Sequence, residues 1–519
     1  MNLLPFILLT ILSFSIILNC IYMMSSKNSL EIVEDMGIGY NLGNTFDSYD
    51  FKNEINTPEE QITLMGNILP TKNMIKKIKK YGFKTIRFPV TWIFFIDDNG
   101  NVNSDWMILV KEVVDLIVNA NLYCILNIYN DGNYGNWLSM GLEAKDKYIN
   151  LWSQIANEFK DYNDYLIFES MNEVYFFNYD ILNYDYDILL TFNQAFVDII
   201  RNSGGNNIQR LLIVAGANSN LDLTCSSDYK IPIDPSNKFA VSIHYYNPTK
   251  FTKEHYYDPY SWIDYDGIEY YFEPTLSWGS SEEYLQIITD FEKMKNSFLN
   301  KGIPIIINEI GVFTEDKKKI ESIREYLYMI FSISSDFNGI MSCLWDTSNK
   351  KFGYMNFYDR ENDKWYDDKL KENFIHISRG KNVKPKDFYI QTHFEIVDIT
   401  YLQRGIEMKI GSRKALKIII NARITGTLFI DANFRIFSYD SLGNSFQIKF
   451  GKSEGKKQYD GTHVFSIDVS KINCYNNIRV SVDSVLNHIT LNNLTVEFEE
   501  SFQSLDYKSF KTSISKYIY

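Results

Sequence analysis

Cysteine, basic charge and long apolar runs are all in short supply in this chain of 519 residues. The five Cys (Cys20, Cys124, Cys225, Cys343 and Cys474) are scattered and form no Cys-x-x-Cys pair, so neither a structural zinc site nor a disulfide framework is implied. Cys124 and Cys343 sit inside apolar runs, where a thiol behaves as a small hydrophobe. The 52 basic residues are outnumbered by 65 acidic ones, giving a formal charge of −13, the wrong sign for a phosphate backbone. No nucleic-acid partner is expected. Only one segment approaches membrane-spanning length: Leu3 to Ile21 is almost wholly apolar, and the first charged side chain is Lys27. We read residues 1–26 as a secretory signal peptide, with an uncleaved membrane anchor as the alternative; both put the bulk of the chain outside the cytoplasm. Tryptophan is missing after Trp365, so the composition changes near that point.

What is present describes a folded, multidomain protein. Apolar residues make up 45% and charged residues 23%, which excludes a disordered or fibrous chain. Aromatics reach 16%, with 37 Tyr, and polar-tipped rings suit sugar faces as well as cores. Short β-rich runs recur at Met36–Leu42, Thr85–Val90, Tyr123–Ile128, Leu166–Glu169, Arg210–Ala215, Phe239–His244, Ile303–Glu309 and Gly339–Trp345. Helical spacing fills Thr71–Lys80, Asp105–Ala120, Tyr148–Phe159, Tyr186–Asn202, Ser281–Asn300 and Lys318–Ser332 between them. Alternating strands and helices imply right-handed parallel crossovers, and this number of units suits a closed (β/α)8 TIM barrel over 27–380. A doubly wound open sheet is the rival, but Gly37-Ile-Gly39-Tyr-Asn-Leu-Gly43 is a poor phosphate turn with no helical pattern behind it. A polar connector at 381–387 precedes short alternating runs from Phe394 to Phe498, among them Gly426–Asp431. They predict a smaller all-β sandwich domain over 388–500 and an unplaced tail over 501–519.

In a parallel barrel, reactive side chains project from the C-terminal strand ends. Those ends carry Arg87, Tyr129, Asn172 with Glu173, His244 with Tyr246, Glu309 and Trp345. Two Glu on nonadjacent strands, without a His/Cys/Asp cluster at ligand spacing, point to acid/base and nucleophilic work and away from a metal. Paired carboxylates across a pocket fit glycoside cleavage, in which one protonates the leaving oxygen and the other attacks or activates water. Singly, each has a plainer reading: Asn172-Glu173 as a helix cap, Glu309 as solvated, Arg87 as a structural ion-pair partner. Their joint placement carries the inference.

Ile38-Gly-Tyr-Asn-Leu-Gly-Asn-Thr-Phe-Asp47, Thr85-Ile-Arg-Phe-Pro-Val-Thr-Trp92 and Leu166-Ile-Phe-Glu-Ser-Met-Asn-Glu173 resemble motifs of glycoside hydrolase family 5. Val241-Ser-Ile-His-Tyr-Tyr246, Trp278-Gly-Ser280, Pro304-Ile-Ile-Ile-Asn-Glu309 and Phe352-Gly-Tyr354 followed by Trp365-Tyr366 continue the likeness in order. It is greatest to the fourth subfamily of secreted β-1,4-glucanases, lichenases and xyloglucanases. The resemblance implies Glu173 as general acid/base and Glu309 as nucleophile of a retaining mechanism. Arg87 and Tyr246 would then bond the nucleophile, and Asn172 the substrate's 2-hydroxyl. His244 would lie beside the acid/base, and Trp345 would form the floor under the sugar being cleaved. It further implies a β-glucan-type polysaccharide as substrate, no cofactor, a monomer, and an extracellular or cell-surface location. Glu173 should stay protonated while Glu309 is charged, with carboxyls about 5–5.5 Å apart.

The chain departs from the family pattern where two His and an acid are usual on strand three: it has Asn127-Ile-Tyr129-Asn130-Asp131. Tyr129 can donate a hydrogen bond in the cleavage subsite but carries no charge near neutral pH. Met65, Val174, Asn308, Leu344 and Thr347-Ser348 replace other familiar residues. These changes leave a second reading open, a catalytically weakened member acting as a glycan-binding protein.

Overall fold

The computed structural model describes residues 27–380, except 51, 53–54, 134, 179–182, 254–260, 264–268, 272–275, 280, 315–317 and 349–354, and the strands between 398 and 498. The apolar segment Leu3–Ile21, the connector 381–387, the predicted strand Gly426–Asp431, the Phe352-Gly-Tyr354 motif, the tail 501–519, Cys20 and Cys474 lie outside the described residues. Cys124 and Cys343 are buried free thiols. Among the described residues no helix is long and apolar enough to cross a membrane. Two compact units are present: residues 1–279 with 293–382, and 280–292 with 383–519.

In the first unit, eight parallel strands close into a barrel: β1 (Gly39–Asn41), β2 (Thr85–Phe88), β3 (Tyr123–Asn127), β4 (Leu166–Glu169), β5 (Leu212–Ala215), β6 (Phe239–His244), β7 (Ile305–Ile310) and β8 (Ile340–Leu344). Each pairs with its sequence neighbours, and β1 closes on β8 through Gly39↔Cys343 and Tyr40↔Leu344. Every barrel-strand residue is buried, as expected of a sheet covered by helices outside and filled by side chains inside. Gly39 is needed for closure, because a Cβ there would lie 2.3 Å from the Cys343 sulfur. The crossover helices follow the predicted spacing to within a few residues, for example Lys72–Lys80, Ser104–Val118, Lys145–Phe159 and Tyr186–Asn202.

One predicted strand is overturned in part. Met36 was assigned to the first strand, but it ends a helix, Ser29–Met36, which Asn28 and Glu31 start with a reciprocal capping box. That helix buries Ile32, Val33 and Met36 against Tyr123, Ile125, Ile167, Ile213, Ile306 and Met341. These contacts plug the N-terminal end of the barrel, each large aliphatic contributing about 1.5–3 kcal/mol by leaving water. The opposite, C-terminal end stays open for chemistry.

The second unit contains β9 (Asp398–Leu402), β10 (Gly405–Gly411), β11 (Ala415–Thr425), β12 (Asn433–Tyr439), β13 (Ser445–Phe450), β14 (Lys456–Lys457), β15 (Thr462–Asp468), β16 (Tyr475–Asp483) and β17 (His488–Phe498). They form a five-stranded antiparallel sheet, β9-β10-β16-β12-β13, and a four-stranded one, β14-β15-β11-β17.

Candidate active site

A buried ion-pair network crosses the open end of the barrel. Arg87 on β2 is wholly buried and directs its guanidinium fork at Glu169 on β4, with Nε and Nη2 donating to the two carboxylate oxygens at 2.8 and 2.7 Å. Nη1 donates to Glu309 at 2.8 Å and to Asn41 at 3.1 Å, and Nη2 also donates to Asn172 at 2.8 Å. Burial alone would lower the Arg87 pKa, but Glu169 and Glu309 beside it raise it well above the ordinary guanidinium value. Burial likewise pushes the Glu169 carboxyl up, and Arg87 overcomes this, holding it below its usual range.

Glu309 sits where β7 loses regular register: Ile307 pairs with Ile243, Glu309 with His244, and Asn308 is skipped. Such an irregularity re-aims side chains, and here it points Glu309 into the pocket while Asn308 donates to Glu169 at 3.0 Å. Three donors hold Glu309: Arg87, the Tyr129 hydroxyl at 2.9 Å on the same oxygen, and the Tyr246 hydroxyl at 3.0 Å on the other. Burial, followed by the charge of Glu309, lifts both phenols well above their ordinary pKa, so they remain protonated and serve as donors.

Glu173 lies just beyond β4 and contrasts with Glu309 in access. Its side chain is 35% exposed against 5% for Glu309. His244 bridges them, with Nδ1 2.5 Å from a Glu173 oxygen and 3.4 Å from a Glu309 oxygen. One ligand atom from each of the three residues lies within 4.8 Å of the others. That spacing would also admit a cation, but both Glu309 oxygens already accept protein hydrogen bonds and Arg87 supplies the positive charge. The donor set therefore suits proton and nucleophilic chemistry.

The expected elevated pKa of Glu173 is corrected by the electrostatics. Burial raises it, but the charge and hydrogen bond of His244, with Lys253 behind, hold the carboxyl down to about 2. Two buried donors are open to a ligand: Asn172 Nδ2 and His244 Nε2 have no hydrogen-bond partner among the described residues. Trp345 is part-exposed, and its ring lies parallel to Tyr129 with centroids 5.6 Å apart, an offset stack forming one apolar wall. Gly43 lets the Trp345 ring approach the backbone, since a Cβ there would lie 2.9 Å from the Asp346 carbonyl and 3.1 Å from the indole.

All eight residues named from the sequence thus meet at one mouth. Sequence reasoning missed Glu169 and Asn41, and it gave no role to Asn127 at the end of β3, which donates to Glu169 at 3.1 Å. A signal existed: an ionisable residue inside an apolar four-residue strand needs a buried counter-charge, and Arg87 was the candidate.

A pocket of paired carboxylates at the C-terminal mouth of an eightfold barrel is the equipment of an enzyme acting on O-glycosyl bonds. The family model for cellulase, glycosyl hydrolase family 5, matches residues 47–351, and the chain belongs to that family. Endoglucanase A of Clostridium longisporum is 33% identical over 383 residues, covering 70% of this chain and 68% of that protein. A solved GH5-4 broad specificity endoglucanase from an uncultured bovine rumen ciliate is 52% identical, with a TM-score of 0.67, covering 68% of this chain and 99% of its own. A mutant family 5 lichenase from Caldicellulosiruptor sp. F32, solved with cellotetraose, is 28% identical with a TM-score of 0.59, covering 68% and 96% of the two chains.

Proposed function

We propose that this chain is an endo-β-1,4-glucanase-type enzyme that cleaves β-glucan polysaccharide by retaining double displacement. The observation that carries the reading is the 4.8 Å limit on the spacing of Glu173, His244 and Glu309 ligand atoms. One oxygen of Glu173 and one of Glu309 that close together favour the roughly 5–5.5 Å carboxyl separation of retaining enzymes over the about 6.5–9.5 Å of inverting ones.

In the first step Glu309, held in place by Arg87, Tyr129 and Tyr246, attacks the anomeric carbon. The leaving oxygen takes a proton from the Glu173–His244 pair. An imidazolium facing a carboxylate and an imidazole facing a carboxylic acid are the same proton on either side of one 2.5 Å contact. The pair can therefore hold that proton even though Glu173 is strongly acidic in the free site, and an arriving leaving oxygen competes for it. In the second step Glu173 takes a proton from water, which attacks the same carbon and releases Glu309. Asn172 Nδ2 is available for a ring hydroxyl, and Trp345 for the apolar face of the sugar. No cofactor enters these steps.

The reading extends to a secreted or surface-tethered monomer whose leader is 1–26. In it the barrel occupies 27–380, and the two C-terminal sheets form the faces of a β-sandwich over 388–500. Broad β-glucan use is supported by the lichenase and endoglucanase relatives. Reducing-sugar release from barley β-glucan and xyloglucan, with product stereochemistry followed by NMR, tests the reading. Retained configuration in the parent and loss of at least about a thousandfold in Glu309→Gln are expected. Equal release by both proteins, or an inverted product, would overturn it; binding without cleavage would favour the glycan-binding alternative.

A further inference from the structure

Trp345 is carried by the loop after β8 and rests against Gly43 in the loop after β1. Both loops hold backbone shapes that side chains disfavour: Asn44 has a φ of 57° and Ser348 a φ of 62°, in the left-handed region. Such conformations persist only where the surroundings fix them. Each turn is first bent by an aspartate of its own. Asp47 accepts from the Asn44 and Thr45 amides at 2.9 and 2.7 Å, and Asp346 accepts from the Phe357 and Ser348 amides at 2.8 and 3.3 Å.

Two buried side chains from elsewhere then tie one loop to the other. Asn67 Nδ2 donates to the Asn44 carbonyl at 2.7 Å and to the Thr347 carbonyl at 3.2 Å. Arg360 Nη2 donates to the Gly43 carbonyl at 2.6 Å and to the Asp346 carbonyl at 3.2 Å. Successive carbonyls of one loop, Gly43 and Asn44, are thus stapled to successive carbonyls of the other, Asp346 and Thr347, directly beside Trp345. Burial pushes the Asp47 carboxyl up to about 6 and the Asp346 carboxyl up as well, and the charge of Arg360 works against both. Neither Asn67 nor Arg360 bonds Glu173, Glu309 or the Trp345 ring among the described residues, so any effect on the pocket passes through the loops. The Trp345 amide donates to the Ile310 carbonyl at 2.8 Å, one residue beyond Glu309, which sets the height of the ring beside the nucleophile. The staples govern the remaining freedom, the separation of the two loops. We propose that Asn67 and Arg360 are positioning residues for sugar binding, a pair of staples that joins the loops after β1 and β8 and keeps the face of Trp345 toward the pocket. This inference rests on the reading of Trp345 as the apolar wall for a glucosyl unit.

The test is a calorimetric titration with cellotetraose, run in the full chain carrying Glu309→Gln so that the ligand is not consumed, and below the melting range of every variant. Asn67→Ala and Arg360→Met should each weaken binding about five- to tenfold. With Trp345→Ala also present, the same substitutions should change affinity by less than about twofold, because the wall they aim is gone. A staple that serves stability alone would not show this dependence on Trp345. Affinity unchanged by the staple variants, or weakened equally with and without Trp345, overturns the proposal. Should Arg360→Met fail to fold, Asn67→Ala carries the comparison by itself. If the Glu309→Gln chain binds no cellotetraose, the β-glucan reading fails on its own, and hydrogen exchange at the Trp345 amide decides the staples. Faster exchange in Asn67→Ala would support them, and equal exchange would refute them.

Discussion

Replacing Tyr129 by Phe removes one oxygen and tests whether this chain has rebuilt the support for its nucleophile without the usual imidazoles. The lost bond is the 2.9 Å donation to the Glu309 oxygen that Arg87 also contacts. The rest of the ring's surroundings survive: the offset stack on Trp345 and the Arg87 guanidinium 5.5 Å from the ring centroid need only the aromatic face. A hydrogen bond to a charged group contributes about 1.5–3 kcal/mol. In the proposed double displacement Glu309 would recover its full charge as the covalent intermediate breaks down, so the missing donor should weigh on that second step. At about 1.4 kcal/mol per decade, deglycosylation should slow about ten- to hundredfold. Rapid-mixing kinetics on a dinitrophenyl β-cellobioside then show a burst of phenol approaching one per enzyme, followed by a steady rate reduced by that factor. A variant that melts like the parent yet turns over within about twofold of it, with no burst, would show that Tyr129 does not support the nucleophile.

Glu169→Gln keeps the shape but removes the charge from the bidentate pair with buried Arg87, which Glu309 still balances; the weakened charge-assisted bonds should cost about 1.5–3 kcal/mol of stability, read as a lower denaturant midpoint at constant slope. A midpoint equal to the parent's would mean that Asn172, Asn41 and Glu309 suffice to hold Arg87. Gly43→Ala places a methyl 2.9 Å from the Asp346 carbonyl and 3.1 Å from the Trp345 ring, so KM for soluble glucan should rise several-fold, about 1 kcal/mol, with kcat less affected. Equal losses in kcat and kcat/KM would place Trp345 in the chemical step instead. Glu173 titrates near 2 in the folded chain against 4.5 ordinarily, so between those values the unfolded chain binds more protons and stability rises with pH. Melting temperature should therefore fall on acidification from about 4.5 toward 2, and the fall should be shallower in Glu173→Gln; identical slopes would contradict the His244 pairing.

Much of this was legible because the informative residues are those the fold leaves little choice about. An apolar run ending in Asn-Glu, another ending in Asn-Glu-Ile and a third holding Arg can be ordered around a barrel from spacing alone, and the strand ends give the mouth. The helix Ser29–Met36 was not legible as such because Met36 and Ile38 are apolar on both sides of Gly37, so strand and helix patterns merge there. Its capping box was the overlooked cue. Glu169 was missed for a different reason. Its role depends on three partners from β2, β3 and β7, and only register brings Asn127 opposite it. The low pKa of Glu173 is likewise a distance effect: sequence places His244 beside the acid but cannot say that Nδ1 comes within 2.5 Å.

Charge balance explains how the pocket tolerates the loss of two imidazoles. Arg87 is fully buried and shared by Glu169 and Glu309, so the trio carries one negative charge in excess. Additional cations could neutralise that excess, but this chain uses neutral donors instead: Tyr129 and Tyr246 on Glu309, and Asn127 and Asn308 on Glu169. A phenol or amide stabilises a buried carboxylate without adding a charge that would itself need desolvation. It also removes a titrating group from the physiological range, since both phenols stay protonated. Asn308 fits the same logic. It departs from the family pattern and adds a donor to the one carboxylate that the sequence left unassigned. The substitutions at strands three and seven therefore read together: neutral donors surround the two carboxylates that Arg87 bridges, and His244 is left facing Glu173.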